Sequence, residues 1–167
     1  MDQLWAPWRL AYVAAAKPPT ENDPCFICRG LAENNDRANL IALRAAKSVV
    51  LLNRYPYNNG HLLIAPQAHK GDLRELDTDE ILDIQQTLTR MIGVLDELMH
   101  PEGCNIGLNL GRAAGAGLPG HVHWHVVPRW NGDTNFMPVV ADVKVIAQAL
   151  EALYDGLVSR LRLSDDR

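Results

Sequence analysis

Three histidines stand at alternate positions in the segment GHVHWHVV, which spans Gly120–Val127. Because alternate side chains of an extended strand point to the same face, His121, His123 and His125 are predicted to form one row of imidazoles, with the apolar residues between them packing the other way. A merely polar strand face explains this pattern poorly, because three aligned rings would repel once protonated. Two chemical explanations stay open: the row binds a catalytic metal, or one ring is a nucleophile whose neighbours position the substrate.

The composition predicts one globular domain and a small-molecule partner. The chain has 167 residues, of which 47% are hydrophobic and 22% charged, a size and balance that suit a single buried core. We expect a soluble, cytoplasmic protein without membrane contact, because the N-terminal residues resemble no signal peptide and no apolar run has membrane-spanning length. The net charge of −4 gives no basic surface for nucleic acid.

The spacing of apolar residues and the positions of turn residues predict an α+β fold. Its sheet is expected to have five mostly antiparallel strands and to be covered on one face by helices. An N-terminal arm and loop are expected over residues 1–24, and the folded domain over residues 25–167. A capping box of Asp77 and Glu80 is expected to start a long helix over about residues 78–99. A stripe of apolar residues starting at Ile81 is predicted along this helix, where it lies either in the core or in an interface between copies. A C-terminal helix is expected over about 145–162. The predicted strands are 40–44, 48–53, 61–66, 105–111 and 121–128.

A glycine-rich loop leads directly into the histidine row. Four glycines fall within residues 111–120, where the absence of Cβ atoms allows backbone N–H groups to approach phosphate oxygens. The loop does not match a Walker motif, and Arg112 is the cation within it. Because the loop lies next to the histidines in the sequence, a phosphate-binding loop is favoured over a flexible hairpin connection.

The cysteine pair indicates a second site. Cys25 and Cys28 have the CxxC spacing that indicates metal or redox chemistry in a cytoplasmic protein. A closed tetrahedral zinc site needs two ligands beyond these sulfurs. Cys104 is expected to be a small buried hydrophobic residue, and His100 to cap the C-terminus of the long helix.

The segment from His121 to Val127 resembles the signature of the histidine triad family, in which three histidines alternate with apolar residues. The NGHLL segment that contains His61, followed by Pro66, resembles the second landmark of that family. Further similarity lies in the sequences WAPWR (5–9), LNRYPY (52–57), GLN (107–109) and PRWNGDTNFM (128–137). These segments are similar to those of the bacterial diadenosine tetraphosphate phosphorylases, relatives of the fragile histidine triad branch.

The resemblance implies a catalytic role for four histidines. His123 would attack the α-phosphorus of a nucleotide and form a covalent nucleotidyl-histidine, and His125 would hydrogen-bond the phosphate and the departing oxygen. His61 would bind the phosphate as charge develops, and His121 would support His123 from behind. The second acceptor decides the reaction: with phosphate, diadenosine tetraphosphate gives ATP and ADP, whereas with water AMP appears.

The resemblance also implies binding residues and partners. Asn53 and Asn109 would bind ribose or phosphate, and the backbone of Gly115, Ala116 and Gly117 would donate N–H groups. Zinc-bearing relatives imply a structural Zn²⁺ site with no organic cofactor, and a homodimer is expected. The implied zinc ligands are Cys25, Cys28, His69 and His121.

Three alternatives to the phosphorylase stay open at this point. A dinucleoside polyphosphate hydrolase would follow the same covalent mechanism with water as the acceptor. A nucleoside phosphoramidase of the same family would release AMP from lysyl or aminoacyl adenylates. A zinc-dependent hydrolase would instead use His121, His123 and His125 as metal ligands.

Overall fold

The computed structural model describes residues 25–33, 35–134 and 146–165, so the predicted arm over residues 1–24 lies outside the described part. The described residues form three helices and five strands, and two 3₁₀ turns lie at 73–75 and 112–114. The helices are α1 (Phe26–Ala32), α2 (Thr78–Met99) and α3 (Leu150–Asp165), and the strands are β1 (Ile41–Arg44), β2 (Ser48–Leu52), β3 (Leu62–Pro66), β4 (Gly103–Leu108) and β5 (Trp124–Arg129). No described helix has the length and apolarity needed to cross a bilayer.

The five strands form one antiparallel sheet in the order β1-β2-β3-β5-β4, which confirms the predicted fold class. One face carries the main core, where α2 and α3 cover apolar side chains of the central strands. Leu62, Ile64 and Val126 are completely buried there against Met91 and Leu157. The apolar residues of the histidine strand therefore pack into the core. Because side chains alternate along a strand, the imidazoles lie on the opposite face.

The long helix begins and ends where the sequence predicts. Asp77 accepts a hydrogen bond from the Glu80 N–H, and Glu80 accepts one from the Asp77 N–H, each at 2.8 Å, so the predicted capping box is present. His100 takes the predicted C-cap position in the left-handed region. Ile81, the first member of the predicted apolar stripe, is 52% exposed, whereas Ile84, Leu88, Met91 and Leu95 are buried in the core.

Among the residues that the structure describes, α1 covers one end of the opposite face of the sheet. Ile27 of α1 is fully buried against Val49, Leu51 and Leu63, which belong to a second, smaller apolar cluster. Cys25 caps α1, its sulfur accepting from the Cys28 N–H at 3.4 Å. The histidines on β5 and the neighbouring β4 lie beyond this cluster, so this part of the face stays available for a site.

Several predicted boundaries differ from the structure. The fourth strand runs from Gly103 to Leu108, two residues earlier than predicted at its start, and the C-terminal helix extends to Asp165. The fifth strand begins at Trp124, because the Val122 N–H donates to the carbonyl of Lys70 instead of joining the ladder. Cys104 is half-buried, less than predicted, because it lies on the edge strand.

Candidate active site

The sheet register brings His61 and His125 together. His125 pairs with Leu63 of β3, and Leu62 pairs with Val126, so His61, which immediately precedes β3, lies beside His125. Their ring centroids are 5.1 Å apart, as are those of His123 and His125. The structure therefore collects three of the predicted catalytic histidines into one group of neighbouring imidazoles.

The tautomer of His123 follows from its hydrogen bond to a backbone carbonyl. Its Nδ1 lies 2.8 Å from the carbonyl oxygen of His121, and a carbonyl can only accept, so Nδ1 carries the proton and donates. Neutral imidazole then has its lone pair on Nε2. The ring is 7% exposed, and the geometry holds it with the nucleophilic nitrogen defined.

A second chain of hydrogen bonds fixes the tautomers of His61 and His125. The Tyr57 N–H donates to Nδ1 of His61 at 3.0 Å, so the proton of neutral His61 must be on Nε2. That Nε2 lies 2.9 Å from Nδ1 of His125 and donates to it, which leaves the proton of His125 on its own Nε2. His125 therefore offers an N–H donor on the free side of its ring.

Burial keeps these two rings neutral near pH 7. Desolvation, helped by the proximity of His125 and His123, lowers the pKa of His61 from 6.5 to about 3. Desolvation and His123 lower the pKa of His125 from 6.5 to about 4. Since both values lie well below 7, the neutral tautomers deduced above are the populated ones.

The turn before His61 is anchored by contacts that sequence reasoning missed. Asn58 is 7% exposed and its amide donates to the carbonyl of Pro128 at 3.0 Å and to the Asp133 carboxylate at 2.8 Å. Gly60 adopts a positive φ of 78°, where a Cβ would approach the Met99 sulfur to 2.7 Å. The Asn-Gly turn was the sequence signal for this anchor. The hydrogen bond to His61 could not be predicted from side chains, because its donor is the backbone N–H of Tyr57.

The predicted nucleotide-binding residues lie on three different segments, of which that of Asn53 contacts a catalytic histidine directly. The Asn53 amide nitrogen lies 3.3 Å from Nδ1 of His61. Leu108, the last residue of β4, pairs with Trp124, the first residue of β5. Asn109 follows Leu108 and therefore lies beside the start of β5. In the glycine-rich loop, the N–H groups of Gly115 and Ala116 donate to carbonyls of the same loop. Their predicted role in phosphate binding, like that of Gly117, stays a prediction.

The four predicted metal ligands form one cluster. The Cys25 sulfur lies 3.2 Å from Nδ1 of His121, and the Cys28 sulfur lies 3.5 Å from the same nitrogen and 3.2 Å from Nδ1 of His69. All four ligand atoms lie within 4.8 Å of one another, and this is the one such cluster found among the described residues. It includes His121 but not His123 or His125.

The donor set fits a tetrahedral zinc ion. Zinc bond lengths of about 2.3 Å to sulfur and about 2.0 Å to nitrogen imply S–N separations of about 3.6 Å, close to those of the cluster. The Nε2 of His121 donates to the Pro66 carbonyl at 2.8 Å, which leaves the lone pair of Nδ1 facing the sulfurs. Without a cation, burial and the neighbouring Cys25 raise the pKa of Cys28 to about 11, whereas a bound cation favours the thiolate.

A comparison with protein families decides the classification. A family model described as the HIT domain matches residues 35–132. The chain belongs to the HIT family. The AP-4-A phosphorylase of Mycobacterium tuberculosis is 36% identical over 90% of this chain and 79% of its own length.

Solved structures of HIT proteins share the fold. A histidine triad nucleotide-binding protein from Sulfolobus tokodaii superposes with a TM-score of 0.66 at 21% identity, covering 83% of this chain and 93% of its own. A Zn-bound histidine triad family protein from Mycobacterium smegmatis superposes with a TM-score of 0.62 at 26% identity, covering 76% and 86% respectively. HIT relatives of this chain thus include a nucleotide-processing enzyme and a zinc-bound protein.

Proposed function

We propose that this HIT protein is a nucleotidyltransferase that cleaves dinucleoside polyphosphates by phosphorolysis, converting diadenosine tetraphosphate and phosphate to ATP and ADP. The observation that carries the proposal is the pair of defined tautomers, a lone pair on Nε2 of His123 next to a proton on Nε2 of His125. The similarity to the mycobacterial AP-4-A phosphorylase supports the choice of substrate and acceptor.

The two tautomers suit a double displacement at phosphorus. In the first step, Nε2 of His123 forms a bond to the α-phosphorus while the bond from that phosphorus to the bridging oxygen breaks, and ATP leaves with the bonding electron pair. The N–H of His125 stabilises the charge that develops on this oxygen. In the second step, a phosphate oxygen bonds to the phosphorus, the N–P bond breaks, and ADP is released with neutral His123 restored.

The hydrogen-bond chain through His61 gives His125 its orientation in this scheme. Because the Tyr57 N–H occupies Nδ1 of His61, that ring can only donate to His125. Protonation of His125 at Nδ1 would break the hydrogen bond from His61, so His125 keeps its proton on Nε2 and donates it toward the substrate. Asn53, Asn109 and the loop of Gly115, Ala116 and Gly117 are proposed to hold the ribose and the phosphates of the transferred nucleotide.

We propose further that Cys25, Cys28, His69 and His121 hold a structural zinc ion. The ion would supply a crosslink between α1 and the segment that precedes β5. The backbone carbonyl that orients His123 belongs to His121, so fixing this ligand also fixes the nucleophile. The same assignment disfavours a zinc hydrolase with the triad as ligands, because both ring nitrogens of His121 are engaged elsewhere, Nε2 with the Pro66 carbonyl and Nδ1 with the cysteine sulfurs.

A homodimer is proposed as the assembled form. The strand β4 is at the edge of the sheet, and its Ile106 is 45% exposed. Within the part of the chain that the structure describes, no further strand pairs with this edge, and an edge with an exposed apolar side chain is suited to pairing with a second copy. Light scattering would report the mass.

The test is incubation with diadenosine tetraphosphate, with and without phosphate, followed by chromatography of the nucleotides. We expect ATP and ADP, formed only when phosphate is present. Formation of AMP and ATP without phosphate would assign a hydrolase of the same mechanism instead. Absence of products, together with release of AMP from a lysyl adenylate, would assign the phosphoramidase and overturn the proposal.

A further inference from the structure

A trough runs along the sheet face beside His125 and away from α1. His125, Val127 and Arg129 alternate on this face of β5, and the β4 residues paired with them are Gly107, Asn105 and Gly103. Among the described residues, nothing lies within 4 Å of where a Cβ would stand on either glycine. Directly paired residues share a face, so the two missing side chains leave open space over β4. The trough is about 13 Å long from His125 to Arg129 at the rise of an extended strand.

The far part of the trough widens into a cavity. Its volume is about 280 Å³ and it is lined by Tyr57, Asn58, Asn105, Val127 and Arg129. The Tyr57 ring stacks on that of His125 with centroids 5.6 Å apart at 24°, so the wall is continuous from the catalytic imidazole to the cavity. Tyr57 is nevertheless 54% exposed, and an exposed aromatic face is suited to stacking a base.

Arg129 gives the cavity its charge. Its Nε and one terminal nitrogen donate to the Asp133 carboxylate, and its other terminal nitrogen donates to the Asn105 amide oxygen at 2.8 Å. The Asp133 side chain is 6% exposed whereas that of Arg129 is 47% exposed. The guanidinium is therefore held from below and presented to solvent, where a phosphate oxygen can replace the neutral amide with a stronger, charge-assisted hydrogen bond.

We propose that this trough binds the leaving nucleoside polyphosphate during the first displacement and admits the acceptor phosphate during the second. This inference rests on the function proposed above. In-line displacement places the leaving oxygen opposite the attacking nitrogen of His123, on the side where His125 presents its N–H. The acceptor must approach the nucleotidyl-histidine from that same side, because the nitrogen is then the leaving atom.

The chemistry of the lining defines the ligand class. The Arg129 guanidinium with the Asn105 amide suits phosphate oxygens, and the Tyr57 ring suits the outer base. A substrate with a small leaving group makes neither contact. The trough thus selects dinucleoside polyphosphates over mononucleotide esters that would form the same covalent intermediate.

The test compares two substrates that donate the same AMP group, diadenosine tetraphosphate and the 4-nitrophenyl ester of AMP, in wild type and in Asn105→Asp. The aspartate still accepts from Arg129, so the wall is kept, but it adds a negative charge where the phosphates pass. We expect the ratio of kcat/KM for the dinucleotide to that for the ester to fall about tenfold. The KM for phosphate, measured with the ester, is expected to rise by a similar factor.

The matched control is Gln86→Glu, which makes the same amide-to-acid change at an exposed position of α2, on the opposite side of the sheet. Its ratio should match that of wild type. Arg129→Gln, which removes the cation, should lower the ratio as Asn105→Asp does. If Asn105→Asp leaves the ratio of kcat/KM values unchanged, or lowers kcat/KM equally for both substrates, the proposed role of the trough is wrong. Turnover of diadenosine tetraphosphate by wild type would still uphold the proposed function. Failure of wild type to release products from either substrate would overturn both.

Discussion

Burial of a neutral His61 makes the stability of this protein depend on pH. The ring is 1% exposed, and burial lowers its pKa to about 3 from 6.5. Between these two values the unfolded chain binds a proton that the folded chain excludes, so the free energy of unfolding falls as the pH falls. The stabilisation is fully present above 6.5, is lost progressively below it, and stops decreasing near pH 3.

The magnitude follows from the two pKa values. Acidification from about pH 7 to about pH 5 protonates His61 in the unfolded state only, which costs about 2 kcal/mol at about 1.4 kcal/mol per pH unit. His125, whose pKa is lowered to about 4, adds a loss of similar size over this interval, because above about pH 5 it too is protonated mainly in the unfolded state. The variant His61→Gln removes the first contribution and keeps a neutral side chain of similar length.

The assay is urea unfolding of wild type and His61→Gln at about pH 8, 7, 6 and 5, followed by tryptophan fluorescence. Other titrating groups contribute equally to both proteins, so the difference between the two pH profiles isolates His61. We expect the variant to lose about 2 kcal/mol less than wild type between about pH 7 and pH 5. Parallel profiles for the two proteins would refute a buried, neutral His61.

Two further predictions concern the supports of the histidine segment. Purified protein is expected to contain one zinc ion per chain by elemental analysis, and Cys28→Ser or a chelator should lower both the zinc content and the melting temperature; a metal-free protein that melts like the untreated sample would contradict this. Glu80, 5% exposed, pairs with Lys70 at 2.6 Å, and the Lys70 carbonyl accepts from the Val122 N–H. Glu80→Gln should therefore lower the free energy of unfolding by about 2 kcal/mol, because it leaves a part-buried cation unpaired. Adding Lys70→Met should recover part of this loss in the same urea assay. No recovery in the double variant would rule out the charge pair as the cause.

The sequence predicted those parts of the fold that a local pattern encodes. Short apolar runs bounded by turn residues predicted all five strands, and the capping box predicted the start of α2. The pattern did not predict α1, because a seven-residue helix offers too few turns for a periodic signal and its CxxC motif indicated only a metal knuckle. It also extended β5 to His121, because alternation cannot show where a strand loses its partner.

The candidate site divides in the same way. Spacing predicted that the imidazoles of His123 and His125 share a face, and the family resemblance supplied His61 and His69. Neither could identify the groups that set the tautomers, because these are a backbone N–H of Tyr57 and a backbone carbonyl of His121, which no side-chain motif records. The trough was also missed, because Asn105 and Arg129 meet only through the register between β4 and β5.

The most direct test of the central claim is capture of the covalent intermediate. The protein is mixed with diadenosine tetraphosphate in the absence of phosphate, quenched within one turnover, and digested for mass spectrometry. We expect one AMP group per chain on the peptide that contains His123, converted to ADP when phosphate is added before quenching, and no such adduct in His123→Asn. Product release with no adduct, or an adduct on another residue, would contradict the account.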